Sequence, residues 1–526
     1  RPASGQAMVE ELLAARRRLE ATGGASIRRK ALRLALALAG VALVAAGVYL
    51  VGTRRPATEI AGSPAVAPAL PSVAVLPFAD LSPGKDQEYF ADGVAEEILN
   101  ALARVEGLHV AGRTSSFSFK GKSVQIQEIG RQLNVRAILE GSVRKEGNRV
   151  RITAQVVDVA DGYHLWSETY SRELNGIFAV QDDVARAVVE ALKVKLVPGK
   201  GPGGGEGRTA DPESYNYYLL GLHHERQGTV EGMRRARAAL ERALALDPGN
   251  ALAQAALAIA IFNVWAVGGT TTAAEVEDVR RESLTAAEKA VALAPSLADG
   301  YAARGFLRGA YFDWAGSRAD LDRALALRPN DSRALAYLGE LQSVFGRVTE
   351  SIALTRRALE LDPLWERPLS CLGRLYLASG ELSLARSAID RWLEINPDNA
   401  PARSGQVLLH LLEGHPKAAL SAAQRIDAPF PRLRGIALAE NDLGHAAESS
   451  RALEELTSKF APAYPQAIAQ VHAWRGDADR AFEWMERAWR ERDPQVARLK
   501  FDPLLRKIRG DPRWKPFLRK MNLPVD

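Results

Sequence analysis

Histidine, cysteine and paired carboxylates are the side chains that most often carry catalysis or hold metal, and their spacing here gives them little to do. His223 and His224 are adjacent, so on a helix they point in different directions and cannot share an ion. His224-Glu225 does not continue into H-E-x-x-H, and Cys371 is the single cysteine, which excludes a CxxC pair and an intrachain disulfide. Gly199 to Gly204 spells GxGxxG, but it follows a helical pattern rather than a strand and opens no helix, so it is not read as a phosphate loop. No GxSxG elbow and no P-loop occurs. Asp182-Asp183 falls on a helix and reads as solvated, while His164 and Trp166 share a strand face and read as packing residues. The expectation is a chain without an active site, without a cofactor and without a metal.

The residues left to do work are those of a repeat. After Asp211, prolines recur at Pro248, Pro295, Pro329, Pro363 and Pro397, spaced 47, 34, 34 and 34 residues apart. Ala243, Ala290, Ala324 and Ala358 keep the same phase, Gly305, Gly339 and Gly373 mark successive first helices, and Gly346, Gly380 and Gly414 mark turns. Close-packed helix pairs need small residues where backbones approach and a proline to stop each second helix. This pattern resembles the tetratricopeptide repeat, with eight units over residues 211–494 and an insertion near Gly268 in the long spacing. The resemblance implies a groove for a protein or peptide ligand, and it places Phe306, Glu340, Arg374 and Leu408 in that groove. They are mixed in charge, with no basic cluster expected. Residues 495–526 carry nine Lys or Arg against two Asp between Pro494 and Pro524, and read as a basic C-terminal cap over the end of the array.

Upstream, residues 71–196 alternate strand and helix patterns. Ser72 to Leu76 is a continuous apolar run, as in a strand covered on both faces. Helices are expected over 87–105, 124–133 and 177–196, with strands over 136–145, 149–159 and 163–170. The segments SVAVLPF, QEYFADGVAEEILNALARVEGLHV, AILEGSVRKEGNRVRITAQVVD and IFAVQDDVARAVVEAL resemble the TolB N-terminal-like periplasmic α/β domain. That resemblance implies a sensing or interaction domain with no catalytic motif. Residues 197–210, rich in glycine, read as a linker.

Residues 34–52 hold nineteen positions without a charge, about the length that spans a bilayer's ~30 Å hydrocarbon layer. Seven Lys or Arg precede the run and two follow it within about 20 residues, which predicts a transmembrane helix over 31–52 with its N-terminal side cytoplasmic. Residues 1–30 read as a juxtamembrane helix and 53–70 as a Pro/Ala-rich linker. Arg1-Pro2-Ala3-Ser4 before an amphipathic pattern resembles the last helix of a Ser/Thr protein kinase domain, where the arginine pairs with an upstream Ala-Pro-Glu; the chain itself holds no kinase catalytic motif.

Net charge is +6 over 526 residues and hydrophobic content is 47%, so no nucleic-acid partner is expected and most of the chain should fold. The expected architecture is mainly α: a single transmembrane helix, a small α/β domain and a tetratricopeptide repeat solenoid. The expected role is a non-catalytic, membrane-anchored scaffold in the bacterial inner membrane, with residues 53–526 periplasmic. The alternative is the extracytoplasmic part of a Ser/Thr kinase, or less favoured, of an adenylate cyclase or winged-helix regulator.

Overall fold

Strand β1, Ser72–Val75, is buried along its whole length. Its alternate side chains face two different layers. Val73 and Val75 join the core made with helices α1 (Glu88–Leu102) and α4 (Ile177–Ala191), while Ala74 packs with Ile129 and Leu133 of α3 (Ile126–Leu133) on the other side. A strand covered on both faces favours apolar residues throughout, which Val73 to Val75 supply, while the buried Ser72 Oγ accepts the Arg136 amide at 3.0 Å. The structure is a computed structural model that describes residues 71–525 apart from 106, 174–175, 193–206, 208, 228 and 269–272. The described residues belong to one compact unit.

The sheet order is β3-β1-β4-β5-β6, with β2 (Ala79–Asp80) pairing β4 off that path. β3 (His109–Val110) and β4 (Ala137–Glu146) run parallel to β1, and β5 (Arg149–Asp158) and β6 (His164–Glu173) complete an antiparallel meander. A bulge between Val156 and Val157 changes the register opposite β6. Val156 pairs with Trp166, which packs on the core, whereas His164 is exposed. One short helix, α2 (Arg113–Phe117), was not expected from the pattern. Five residues are too few to show a helical period.

Among the described residues eight antiparallel helix pairs follow: α5/α6 (Pro212–Glu225, Val230–Leu246), α7/α8 (Ala251–Gly268, Ala273–Leu293), α9/α10 (Ala298–Ala310, Trp314–Leu327), α11/α12 (Ser332–Val344, Val348–Leu361), α13/α14 (Glu366–Ser379, Leu382–Ile395), α15/α16 (Ala400–Leu412, Pro416–Gln424), α17/α18 (Pro429–Asp442, Ala446–Phe460) and α19/α20 (Pro465–Arg475, Ala478–Arg490). This is a tetratricopeptide-like solenoid of paired helices. Glycine sets the closeness of several pairs: a Cβ on Gly339 would lie 2.6 Å from Thr355 Oγ1 of the partner helix. The same approach lets a second-helix serine donate to a first-helix carbonyl, Ser317 to Gly305 O at 2.7 Å and Ser351 to Gly339 O at 2.6 Å. Gly346 and Gly380 close their turns at φ 80°, which side chains disfavour. The 47-residue spacing is partly taken up by longer helices, 18 residues in α7 and 21 in α8.

Two further things differ from the reading of the sequence. The C-terminal segment, with 3₁₀ turns Pro494–Phe501 and Pro503–Ile508 and helix α21 (Trp514–Lys520), does more than lie on the last pair. It packs Leu499, Trp514 and Phe517 into a core shared with Met485 of α20 and with Trp314 and Leu338, two far earlier helices. The second difference concerns localisation. Among the described residues no helix is long and apolar enough to cross a membrane, which removes the support for a single-pass inner-membrane protein with periplasmic residues 53–526. The apolar helix α7 spends its surface on neighbouring helices, burying Ala253, Leu257 and Ala260 in the protein core. The candidate span 31–52, the kinase-like N-terminus and most of the linker 197–210 lie outside the described residues.

Candidate functional site

Position along each first helix decides what the array presents. Phe306, Glu340, Arg374 and Leu408 all stand nine residues after their helix N-caps, Leu297, Asp331, Trp365 and Asn399. Residues three positions earlier share that face. There stand Tyr337, Cys371, Gly405 and, in the later helices, Arg434 and Gln470, six residues after Ala428 and Tyr464.

The structure divides the four expected residues into two neighbourhoods. In the first, Phe262 meets Phe306 edge-on with centroids 5.1 Å apart, and Phe306 meets Tyr337 at 4.7 Å. The Arg367 guanidinium lies 5.1 Å from the Phe306 ring and 5.0 Å from Tyr337. Arg367 also donates two bonds to Glu340, Nε to Oε1 at 3.0 Å and Nη2 to Oε2 at 2.9 Å. Burial alone would raise the Glu340 carboxyl, but Arg367, with Arg498 and Arg374 behind it, holds the group below its usual range. The result is an aromatic stripe across α7, α9 and α11, closed by an ion pair from α11 to α13.

Arg374 and Leu408 line a cavity of about 500 Å³ between the first helices α13, α15 and α17 and the C-terminal 3₁₀ turns. Arg434 and Arg498 line it too, so the basic cluster missing from the sequence reading is assembled by the fold. Arg374 donates to Ser370 Oγ on its own helix, and Arg434 Nη1 donates to Gln470 Oε1 at 3.1 Å. Phe430 stacks on Tyr464 at 4.2 Å and carries the Arg434 guanidinium 5.8 Å from its centroid. Arg498 is exposed, and the like charge of Arg374, followed by desolvation, pushes its pKa down to about 10. Burial lowers Arg434 as well, against the pull of Asp502. Asp502 accepts from Gln470 Nε2 at 2.6 Å and from the Leu504 amide at 3.0 Å, and burial raises its carboxyl. Among the described residues, Arg374, Arg434 and Arg498 have no carboxylate within 4.0 Å.

Two other places compare less well. A cleft of about 690 Å³ beside β1 and β4 has Lys120 on its wall, but Lys120 already pairs with Glu88 and Asp92, each at 2.6 Å. His410, Glu413 and His415 bring ligand atoms within 4.8 Å of one another, a spacing that would admit a metal ion. Arg386 Nη2, however, sits 2.6 Å from both Glu413 oxygens and supplies the counter-charge that an ion would bring. His223 and His224 have ring centroids 5.7 Å apart, and His223 Nδ1 lies 4.0 Å from Asp92. Cys371 is buried, which raises its thiol pKa.

No family model matches the chain. A curated relative, the putative adenylate cyclase 3 of Rhizobium meliloti strain 1021, is 45% identical over 206 residues, which is 39% of this chain and 35% of the relative. The match thus spans about a third of that relative's length. Among solved structures, a thermophilic tetratricopeptide protein of Thermus thermophilus is similar over 38% of this chain and 99% of its own, at 20% identity and a TM-score of 0.32. PilW, a type IV pilus biogenesis factor, is similar over 49% and 97% at 20% identity and a TM-score of 0.30. Such low scores leave the repeat assignment to rest on the helix pairs themselves.

Proposed function

We propose that this chain is a protein-interaction module that receives a polypeptide partner on the shared face of its first helices. The observation that carries the reading is the stripe Phe262, Phe306 and Tyr337 with Arg367 stacked across it, all partly accessible. Aromatic and arginine side chains on a rigid helical frame are the usual anchors of protein interfaces, because they bury much area at little entropic cost. Panning the full chain against a random peptide display library should enrich a motif that binds in the micromolar range. Tyr337→Ser should weaken that binding about tenfold. Enrichment no better than on a blank surface, or binding indifferent to Tyr337, would overturn the proposal.

A second reading is favoured by the identity to the putative adenylate cyclase: the chain would be the regulatory part of a nucleotide cyclase. The TolB N-terminal-like resemblance of residues 71–196 fits a sensing role in such a protein, and the kinase-like Arg1-Pro2-Ala3-Ser4 supports the competing kinase assignment. Sequencing the coding region upstream of Arg1 separates them. A cyclase domain there supports the second reading, and Ala-Pro-Glu with His-Arg-Asp there replaces it by the kinase.

A further inference from the structure

We propose that the cavity walled by Arg374, Arg434 and Arg498 is a binding site for a small organic carboxylate with an apolar or aromatic body. The site lies on the first helices α13, α15 and α17, beyond the aromatic stripe of α7, α9 and α11 on which the polypeptide reading rests. Its volume of about 500 Å³ lies in the range of small-molecule pockets. Its walls offer both halves of such a ligand: Leu408 and Phe430 for the body, the guanidinium groups for the carboxylate.

The charge argument is the stronger one. Three arginines face one space, and among the described residues none has a carboxylate within 4.0 Å. Arg374 Nε is enclosed and has no acceptor among the described residues. The like charge of Arg374 is the largest influence lowering Arg498, so the two guanidinium groups repel each other across the free site. Groups held in such mutual conflict are characteristic of places where a ligand resolves it. The counter-charges nearby are already engaged: Glu340 in its bidentate bond from Arg367, Asp502 with Gln470 and the Leu504 amide.

Size argues against an extended peptide in this space. The C-terminal segment supplies one wall through Arg498, Phe501 and Leu504, and Phe501 also packs on Cys371 and Leu375 of α13. A chain running along that face would have to displace it. A compact molecule would not.

The test uses the full chain with 4-phenylbutyrate, its neutral amide, inorganic phosphate, and a panel of arylalkanoates of other chain lengths. Calorimetry should show saturable binding of at least one arylalkanoate, with the amide and phosphate far weaker. Arg498→Gln should weaken that binding about tenfold, the loss of one charge-assisted bond. The same substitution should raise the melting temperature of the free chain, because it removes a repelling charge. Arg434→Lys, which keeps the charge and loses the fork, should weaken binding with little change in melting temperature. Equal binding of acid and amide, preference for phosphate, or no binding across the panel overturns the proposal. So does a lower melting temperature for Arg498→Gln with unchanged ligand response, since that describes a structural arginine. Peptide panning can succeed or fail independently of these outcomes.

Discussion

Trp314 donates its indole N–H to the carbonyl of Met521 at 3.3 Å, joining residues 207 positions apart. The bond marks where the C-terminal segment returns to α10, and the contacts around it are apolar. Phe517, 3% exposed, sits in the same core as Trp314, Leu338 and Met485. Phe517→Ala should cost about 3–5 kcal/mol of unfolding free energy, as lost burial plus a cavity. Urea denaturation followed by tryptophan fluorescence measures it; a loss below about 1 kcal/mol would mean the segment is only loosely seated.

The sheet region and the array meet at Gly112. A Cβ there would collide with the Asp362 side chain, whose Oδ1 accepts the Ser115 amide at 2.7 Å across 247 residues. Gly112→Ala should therefore cost about 1–3 kcal/mol through overpacking. Limited proteolysis should show earlier cleavage between sheet and array. An unchanged digestion pattern and melting temperature would contradict this contact.

Asp493 caps the turn at Pro494–Phe501, accepting from Gln495 N at 2.9 Å and from Gln466 N at 3.0 Å. Burial raises its carboxyl to about 6 despite those bonds. The folded chain therefore holds this proton at pH values where the unfolded chain has released it. Stability from this group is fully present below about pH 4 and is lost as pH rises through about 6. The difference in unfolding free energy between the natural chain and Asp493→Asn, plotted from pH 4 to 7, should slope accordingly by about 1–3 kcal/mol. A flat difference would place the carboxyl at its ordinary value.

Glu340 is the acid that tempers the arginine cavity, since its charge acts on Arg498 as well as on Arg367. Glu340→Gln should bind an arylalkanoate roughly threefold more tightly, because a competing negative charge is gone. It should also unfold more easily, with Arg367 left without its bidentate acceptor. Weaker binding in this variant would show that Glu340 organises the site rather than opposing its ligand.

The repeat was legible because its causes are local. Gly305, Gly339 and Gly373 recur in successive first helices, and Pro295, Pro329, Pro363 and Pro397 recur after successive second helices, so a 34-residue period appears in the chain itself. The strands of the sheet were legible for the same reason, through alternation along β5. Groove positions could be listed from the repeat, yet their partners could not. Arg374 comes from α13, Arg434 from a more divergent pair and Arg498 from beyond the last helix pair, and no period links the three.

Sequence alone determined the paired helices and the small sheet region before them. Only the tertiary structure decided that the C-terminal segment returns to α10 and α13, and that doing so brings three arginines to one space. The first kind of information is written in contacts a few residues apart. The second depends on surfaces more than a hundred residues apart, such as Lys500 donating to Phe345 O at 3.2 Å, whose meeting is set by how the helix pairs stack.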